Sequence, residues 1–371
     1  MTGQLEDPRP SFDEIGPQRV FHYCEPAARL RAVLVIDTTR FGLSAGGVRM
    51  APDLTLVEMV RLARAMSYKF AMLDLPCGGA KAGIWFDPAD PSRAAVVRAF
   101  LTAIRPLTET RAYMPGADMG TTAGDFASVY PDTESSRNLA DQTFEGLPLE
   151  DQVTGYGVVI AARSACEFAG RMLRGARVAI EGFGKVGLGA AKFFAREQAA
   201  VVAVSTINGT LYDPGGLDVA RLLDLRRAHG DAALDHYTGG QRLPREALLT
   251  LPLEILVPGA RPDAIHAGNV DAIAAPLVVP AANIPYAAGT IARLHARGIV
   301  ALPDFVANAG GVLLGLIGLQ GGGVDDVFTA VRERISANVQ RVLEVAKQQK
   351  CAAHDAAVAL ARQHLGAEDA C

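Results

Sequence analysis

Cysteine, tryptophan and net charge are all scarce in this 371-residue sequence, and each scarcity excludes a class of protein. Five cysteines (Cys24, Cys77, Cys166, Cys351 and Cys371) are widely scattered and form no Cys-x-x-Cys pair. Neither a disulfide framework nor a zinc site is expected, and a reducing cytoplasm suits such usage. Lys plus Arg total 36 against 40 for Asp plus Glu, a formal charge of −4 with no basic run. Nucleic acid is therefore not expected as the main partner. The first residues, MTGQLEDPRP, lack a basic stretch followed by an apolar one, so no secretory leader is expected. Two long uncharged stretches, 272–292 and 305–324, are interrupted by Pro276, Pro280 and Pro285 and by Gly310, Gly311, Gly315 and Gly318. Such segments would satisfy their own backbone poorly in lipid and read as buried strand–loop–helix pieces.

Apolar residues make up 50% and charged residues 20%, which excludes a disordered chain and supports two cores. At about 150 residues per domain, two domains are expected. The run RAVLVID (31–37) has strand character and leads into a turn-rich stretch around Gly42–Gly47. Leu56, Met59, Val60, Ala63, Met66 and Phe70 recur at helical spacing over 55–73, ending near Pro76. A second helix is expected over 92–105. The acidic, polar segment 141–152 marks a boundary. Beyond it come a helix (154–170), a strand (176–181), a glycine turn, a helix (187–197) and a strand (201–205). Strands near 253–257, 276–279 and 299–301 follow, then a helical tail over 324–365. Alternation of apolar strands with helices predicts a parallel, doubly wound sheet. The tail is expected to pack back on the first domain.

The segment VAIEGFGKVGLGA (178–190) places Gly182-x-Gly184-x-x-Gly187 between a strand and a helix. In a dinucleotide fold the first glycine permits the tight turn, the second admits the pyrophosphate, and the third lets helix meet strand. The helix N-terminus offers unpaired N–H groups to phosphate. Phe183, Lys185 and Val186 complete the loop, and Pro258 with Gly259 are added after a later strand. The strand that should end in an acidic ribose ligand ends instead in Ser205 and Thr206, with no arginine adjacent in sequence. NAD is the default cofactor, with NADP left open.

Lys69 stands in MSYKFAM and Lys81 in PCGGAKAGIWFDP, the latter just past Gly78 and Gly79. Burial and a like-charged neighbour both lower a lysine pKa and can make it a base near neutrality. Asp118 lies in the glycine-bearing segment YMPGADMGTT. Alone, each of these has a bland reading, as a surface charge or a turn residue. Cys77, without a histidine nearby in sequence, and the pair His22 and Cys24 are read as packing or surface residues.

In order, GGVRM, MSYK, LPCGGAKAG, GADMGTT, VTGYGV, EGFGKVG and PDFVANAGGV closely resemble the glutamate/leucine/phenylalanine/valine dehydrogenase family over about residues 20–320. The resemblance implies two α/β domains with a cleft between them. One is a substrate-binding and oligomerisation domain (1–150, with 324–371 packing back on it). The other is a Rossmann-type NAD(P)-binding domain (151–323). It implies that Lys69 holds the substrate α-carboxylate, Lys81 activates water, and Asp118 carries the proton to and from the amine. Gly46, Gly47 and Met66 then line the substrate site, while Thr154 and Asn283 position nicotinamide and amine. Glutamate-specific members typically carry lysine where Ala45 stands and serine where Gly315 stands. With Gly116 and Val312 this implies a roomy apolar pocket, closer to the leucine/phenylalanine branch. The expected function is oxidative deamination of an apolar L-α-amino acid to its 2-oxo acid and ammonia, by a cytoplasmic homo-oligomer. Glutamate as substrate, or a dinucleotide sensor with a dead site, are the alternatives.

Overall fold

The structure, a computed structural model, describes residues 12–127 and 139–366. These fall into two compact units, 12–127 with 359–366, and 139–358.

The first unit is built on five strands: β1 (Arg19–Glu25), β2 (Leu30–Ile36), β3 (Ser44–Met50), β4 (Gly78–Ile84) and β5 (Tyr113–Ala117). Their order is β1-β2-β4-β3-β5, with β3 parallel to β4 and β5 and the other pairs antiparallel. Two strands arise where the sequence reading placed glycine turns and loops. In β3 and β4 the side chains alternate by face, as a period of two requires. Val48, Met50, Ala80, Ala82 and Ile84 enter an apolar core with Val96, Val97 and Phe100 of the helix Arg93–Ala103. The opposite face of β4 carries Gly79, Lys81 and Gly83. The helix Leu56–Met72, capped by Thr55 Oγ1 accepting the Glu58 amide, lies against it. A Cβ on Gly79 would sit 2.2 Å from Ala63 O, and one on Gly83 would sit 2.9 Å from Met59 Sδ. The glycines are there because the helix rests directly on the strand.

In the second unit a short hairpin, β6 (Thr143–Phe144) and β7 (Leu147–Pro148), precedes the helix Val153–Phe168. The main sheet comprises β8 (Arg177–Glu181), β9 (Ala200–Thr206), β10 (Gly209–Tyr212), β11 (Gln241–Leu243), β12 (Ile255–Pro258), β13 (Leu277–Val278) and β14 (Val300–Ala301). Its order is β11-β10-β9-β8-β12-β13-β14. β9, β8, β12, β13 and β14 run parallel, as expected, and β10 and β11 add an antiparallel edge.

Two boundaries differ from the sequence reading. Residues 139–150 belong to the second unit, where the Gln152 side-chain amide donates to the carbonyls of Phe144 and Leu147. The tail is two helices, Val324–Gln349 and Ala353–His364, broken at Lys350 (φ 54°). Val324–Gln349 packs within the second unit on Val153–Phe168. There Ser164 and Ser336 share a 3.0 Å hydrogen bond, and Ile335 fills the space left by Gly157. Its valine-rich stripe complements that helix, so only 359–366 joins the first unit.

Candidate active site

In the first unit, register lines up three positions on neighbouring strands. The pairs Ala45↔Gly79 and Arg49↔Gly83 bring Gly47 across from Lys81, and Gly47 itself pairs with Gly116. A Cβ on Gly47 would lie 3.3 Å from Lys81 Nζ and 2.8 Å from Asp118 Cβ. One on Gly116 would meet nothing within 4 Å. The lysine thus stands beside the missing side chain of Gly47, and Gly116 on the next strand leaves open space.

Lys81 is 3% exposed and forms an ion pair through Nζ with Asp118 Oδ2. Asp118 follows β5 in a loop stapled back to β3. Its amide donates to Thr121 Oγ1 (3.0 Å), and that hydroxyl donates to Val48 O (2.8 Å). Arg49 Nε donates to the same Asp118 oxygen at 3.2 Å, and its Nη1 reaches Glu58 Oε1 at 2.7 Å. Burial pushes the Lys81 pKa below the ordinary lysine value of 10.5; Asp118 opposes this and Arg49 adds to it. Burial alone would raise the Asp118 carboxyl. The charges of Lys81 and Arg49 outweigh it and hold Asp118 well below the usual carboxylate range.

Lys69 is also buried, in the last turn of Leu56–Met72, with Met66 partly exposed three residues earlier. Ser67, between them, donates to Asp37 Oδ2 (2.5 Å) and accepts the Gly79 amide (3.0 Å). Asp37 is in turn gripped by both its oxygens at Arg64 Nε (3.0 and 2.9 Å). This network ties the helix that carries Lys69 to the strand that carries Lys81. Gly46 is fixed by a Cβ vector aimed at Ala80 O, 1.7 Å away, and its carbonyl accepts the Tyr113 hydroxyl at 2.9 Å. Ala45 is buried on the Lys81 face of β3. Cys77 is buried too, with its thiol pushed up to about 12, which removes it as a nucleophile.

In the second unit the glycine loop has the shape a dinucleotide needs. Gly182 turns with φ 86°, and a Cβ on Gly187 would stand 2.0 Å from Gly182 O. Gly184 opens onto free space and starts the helix Lys185–Arg196, whose N-terminus has no side-chain cap. Those amides and that opening fit a pyrophosphate. Phe183 is buried, and Lys185 pairs outward with Glu150 (2.5 Å) and Asp151 (2.9 Å), with Val186 behind it in the first turn. Pro258 ends β12 beside Glu181, and a Cβ on Gly259 would lie 2.6 Å from Glu181 O.

Ser205 is turned inward: its carbonyl (3.1 Å) and hydroxyl (3.3 Å) both accept the Gly182 amide. Thr206 is 8% exposed, and its hydroxyl accepts the Asn208 amide at 3.2 Å. An arginine remote in sequence does stand near the end of β8: Arg245 Nη2 lies 3.5 Å from Glu181 Oε1. Glu181 Oε2 is buried without a hydrogen-bond partner among the described residues.

Asn283 lies on a loop held by two side chains. The Asn308 amide donates to Ala281 O (3.3 Å), Ala282 O (3.1 Å) and Asn283 Oδ1 (3.1 Å), and Asp304 Oδ2 accepts the Ile284 amide at 2.8 Å. Thr154 Oγ1 would stand 3.2 Å from a Cβ on Gly311. Val312 and Gly315 are partly exposed on one face of the helix Gly310–Leu319, and a Cβ on Gly315 would meet nothing within 4 Å. The sequence reading gave no role to Arg49, Glu58, Ser67 or Asn308. Arg49, Ser67 and Asn308 had a signal, since they stand in the motifs GGVRM, MSYK and PDFVANAGGV; Glu58 had none.

A doubly wound dinucleotide domain together with a buried lysine–carboxylate pair defines an oxidoreductase of nicotinamide type. Residues 24–135 match the Glu/Leu/Phe/Val dehydrogenase dimerisation domain, and residues 146–369 match the Glutamate/Leucine/Phenylalanine/Valine dehydrogenase domain. The chain belongs to this family, and is an NAD(P)-dependent amino acid dehydrogenase acting on a CH–NH2 group. It is 38% identical over 285 residues to the glutamate dehydrogenase of Thermotoga maritima, covering 73% of this chain and 68% of that protein. The NADP-specific glutamate dehydrogenase A1 of Halobacterium salinarum is 35% identical, over 72% of this chain and 66% of its own. The leucine-bound hetero-hexameric glutamate dehydrogenase of Thermus thermophilus superposes with a TM-score of 0.81 at 27% identity, covering 95% of this chain and 89% of that one. No helix among the described residues is long and apolar enough to cross a membrane.

Proposed function

We propose that this enzyme deaminates an apolar or aromatic L-α-amino acid, phenylalanine- or leucine-like, to its 2-oxo acid. The observation that carries the reading is the buried Lys81–Asp118 pair flanked by Gly47 and Gly116. Lys69 takes the substrate carboxylate, and its burial in a fixed helix orients the Cα. The glycine loop at Gly182, Gly184 and Gly187 would hold NAD or NADP, which would supply the acceptor for the hydride of that carbon. Lys81 in its neutral form takes a proton from water as the water adds to the iminium. Asp118, ionised at rest and paired with Lys81, relays that proton from Lys81 to the amine, which leaves as ammonia as the carbinolamine collapses to the 2-oxo acid. Thr154 and Asn283 are assigned to nicotinamide and amine. Each unit carries half of what the reaction requires.

The side-chain preference rests on Ala45, Gly116, Val312 and Gly315. None offers a cation or hydroxyl to a glutamate side chain, and an unpaired buried carboxylate costs several kcal/mol, about 2–7 for a polar group alone. Glutamate is the second reading, favoured by the names of the relatives at 35–38% identity. We expect kcat/KM for phenylalanine or leucine to exceed that for glutamate by at least about tenfold, or about 1.4 kcal/mol. Glutamate as best substrate in a panel with Leu, Val, Phe and Trp overturns the apolar reading and leaves the dehydrogenase standing. The match of 24–135 to a dimerisation domain supports assembly of the chain as a homo-oligomer through its first unit.

A further inference from the structure

Beside Lys81 and Asp118 lie two charges to which the reaction assigns no task. Arg49 is 6% exposed on β3, two residues after Gly47 and so on the same face. Its register partner on β4 is Gly83, on which Met59 of the helix Leu56–Met72 rests, and the guanidinium reaches that same helix. There it meets Glu58 at 2.7 Å, while its Nε holds the Asp118 oxygen that also takes Lys81. Glu58 is itself fixed in the first helical turn by the Thr55 cap. Four charges of alternating sign therefore run Glu58, Arg49, Asp118, Lys81.

We propose that Arg49, oriented by Glu58, is a positioning residue for this reaction. It fixes the Asp118 carboxylate on Lys81 and keeps that carboxylate paired when Lys81 becomes neutral. The inference rests on the reading of Lys81 as base and Asp118 as proton carrier. Arginine suits the task because its guanidinium does not give up its proton in proteins and its fork can hold two partners at once. Its fixed positive charge also disfavours the ammonium form of Lys81, whereas Glu58, on the far side of the guanidinium, offsets part of that effect. The two residues thus act on Lys81 in opposite senses. Asp118 from the loop after β5, Arg49 from β3 and Glu58 from the helix are the charges that bear on Lys81. That helix also carries Arg61, Arg64, Tyr68 and Lys69, and Arg64 pairs with Asp37 at the end of β2.

The test is the pH–rate profile of deamination for the full-length enzyme and its Arg49→Gln, Arg49→Lys, Glu58→Gln and Lys81→Ala variants. Arg49→Gln should lower kcat at least ~10-fold and move the rising limb up by about one pH unit, the scale of one charge removed nearby in a partly buried site. Glu58→Gln should move the limb down, and Arg49→Lys should return it towards wild type with part of kcat. Limbs that stay put or move in the same direction, with Lys81→Ala inactive, overturn the brace alone. A Lys81→Ala enzyme that turns over normally overturns the base assignment instead. Should Arg49→Gln fail to fold, Arg49→Lys and Glu58→Gln carry the same comparison.

Discussion

At the residue scale the proposed chemistry turns on Lys81, an amine held where its charge is costly to hold. Lys81 is expected to lose at least ~10²-fold in kcat on change to alanine, the lower end for removing a general base. The fold should persist, because Asp118 keeps Arg49 as a partner. Lys69→Ala should instead raise KM, since it removes a binding contact and no proton carrier; steady-state kinetics on both variants separates the roles. The sign of the pH dependence follows from the same burial. A base must be neutral, so deamination should rise with pH through a value below the ordinary 10.5 of lysine. Asp118, held low by two cations, rests ionised throughout that range and so is ready to accept a proton. A limb at or above 10.5 removes Lys81 from the base role. On the cofactor side, Thr206→Asp should shift preference towards NAD by adding a ribose acceptor. Arg245 near Glu181 supplies a cation that the sequence alone did not bring there. Competing NAD and NADP titrations measure the shift. A wild-type preference for NAD beyond ~10³-fold, about 4 kcal/mol, leaves nothing for the change to add.

At the scale of elements, glycines act by absence. Gly47→Ala places a methyl 2.8 Å from Asp118 Cβ and 3.3 Å from Lys81 Nζ. Something in the pair must move, and kcat should fall more than about 10-fold, since a misplacement of about 1 Å can cost ~10² in rate. Circular dichroism should show the strand intact, as the residue sits in an extended conformation open to any side chain. Gly187→Ala is a different failure. Its methyl would meet Gly182 O at 2.0 Å, so the helix Lys185–Arg196 must leave its turn. NADH affinity, read by fluorescence titration, should drop at least about tenfold, or about 1.4 kcal/mol. An unchanged Kd there removes the glycine loop as the dinucleotide site.

At the scale of the whole molecule, the two units divide the work, and sequence legibility divides with them. In the second unit the strand–glycine–helix pattern announces itself because its parts are contiguous: β8, the turn at Gly182 and the helix Lys185–Arg196 follow within twenty residues. Homo-oligomerisation through the first unit is tested by sedimentation of the intact chain against a variant with charges placed on its exposed sheet edge at β1. A monomeric wild type refutes it. The helix Val324–Gln349 shows the limit of local patterns. Its valine stripe at three- and four-residue spacing fixes a helix and its buried face, but the partner of that face is a matter of shape, and it proves to be Val153–Phe168.

The sequence by itself determined the family, and it singled out the glycine fingerprint and Lys69, Lys81 and Asp118 as candidates, because each is carried by residue types at short, fixed spacings. It also determined most helices, whose periodicity is local. It misread β3 and β4, since runs such as SAGGVRM and GGAKAGI lack the β-branched bulk that marks a strand. Only tertiary structure explains them: small residues are demanded where a helix rests on the sheet and where a lysine must lie beside empty space. Tertiary structure alone also decided that Arg49 bridges Glu58 and Asp118, that Asn308 holds the loop of Asn283, and that Arg245 approaches Glu181. Those contacts join residues up to 69 positions apart, and no local pattern encodes a distance that the folding of a sheet has yet to set.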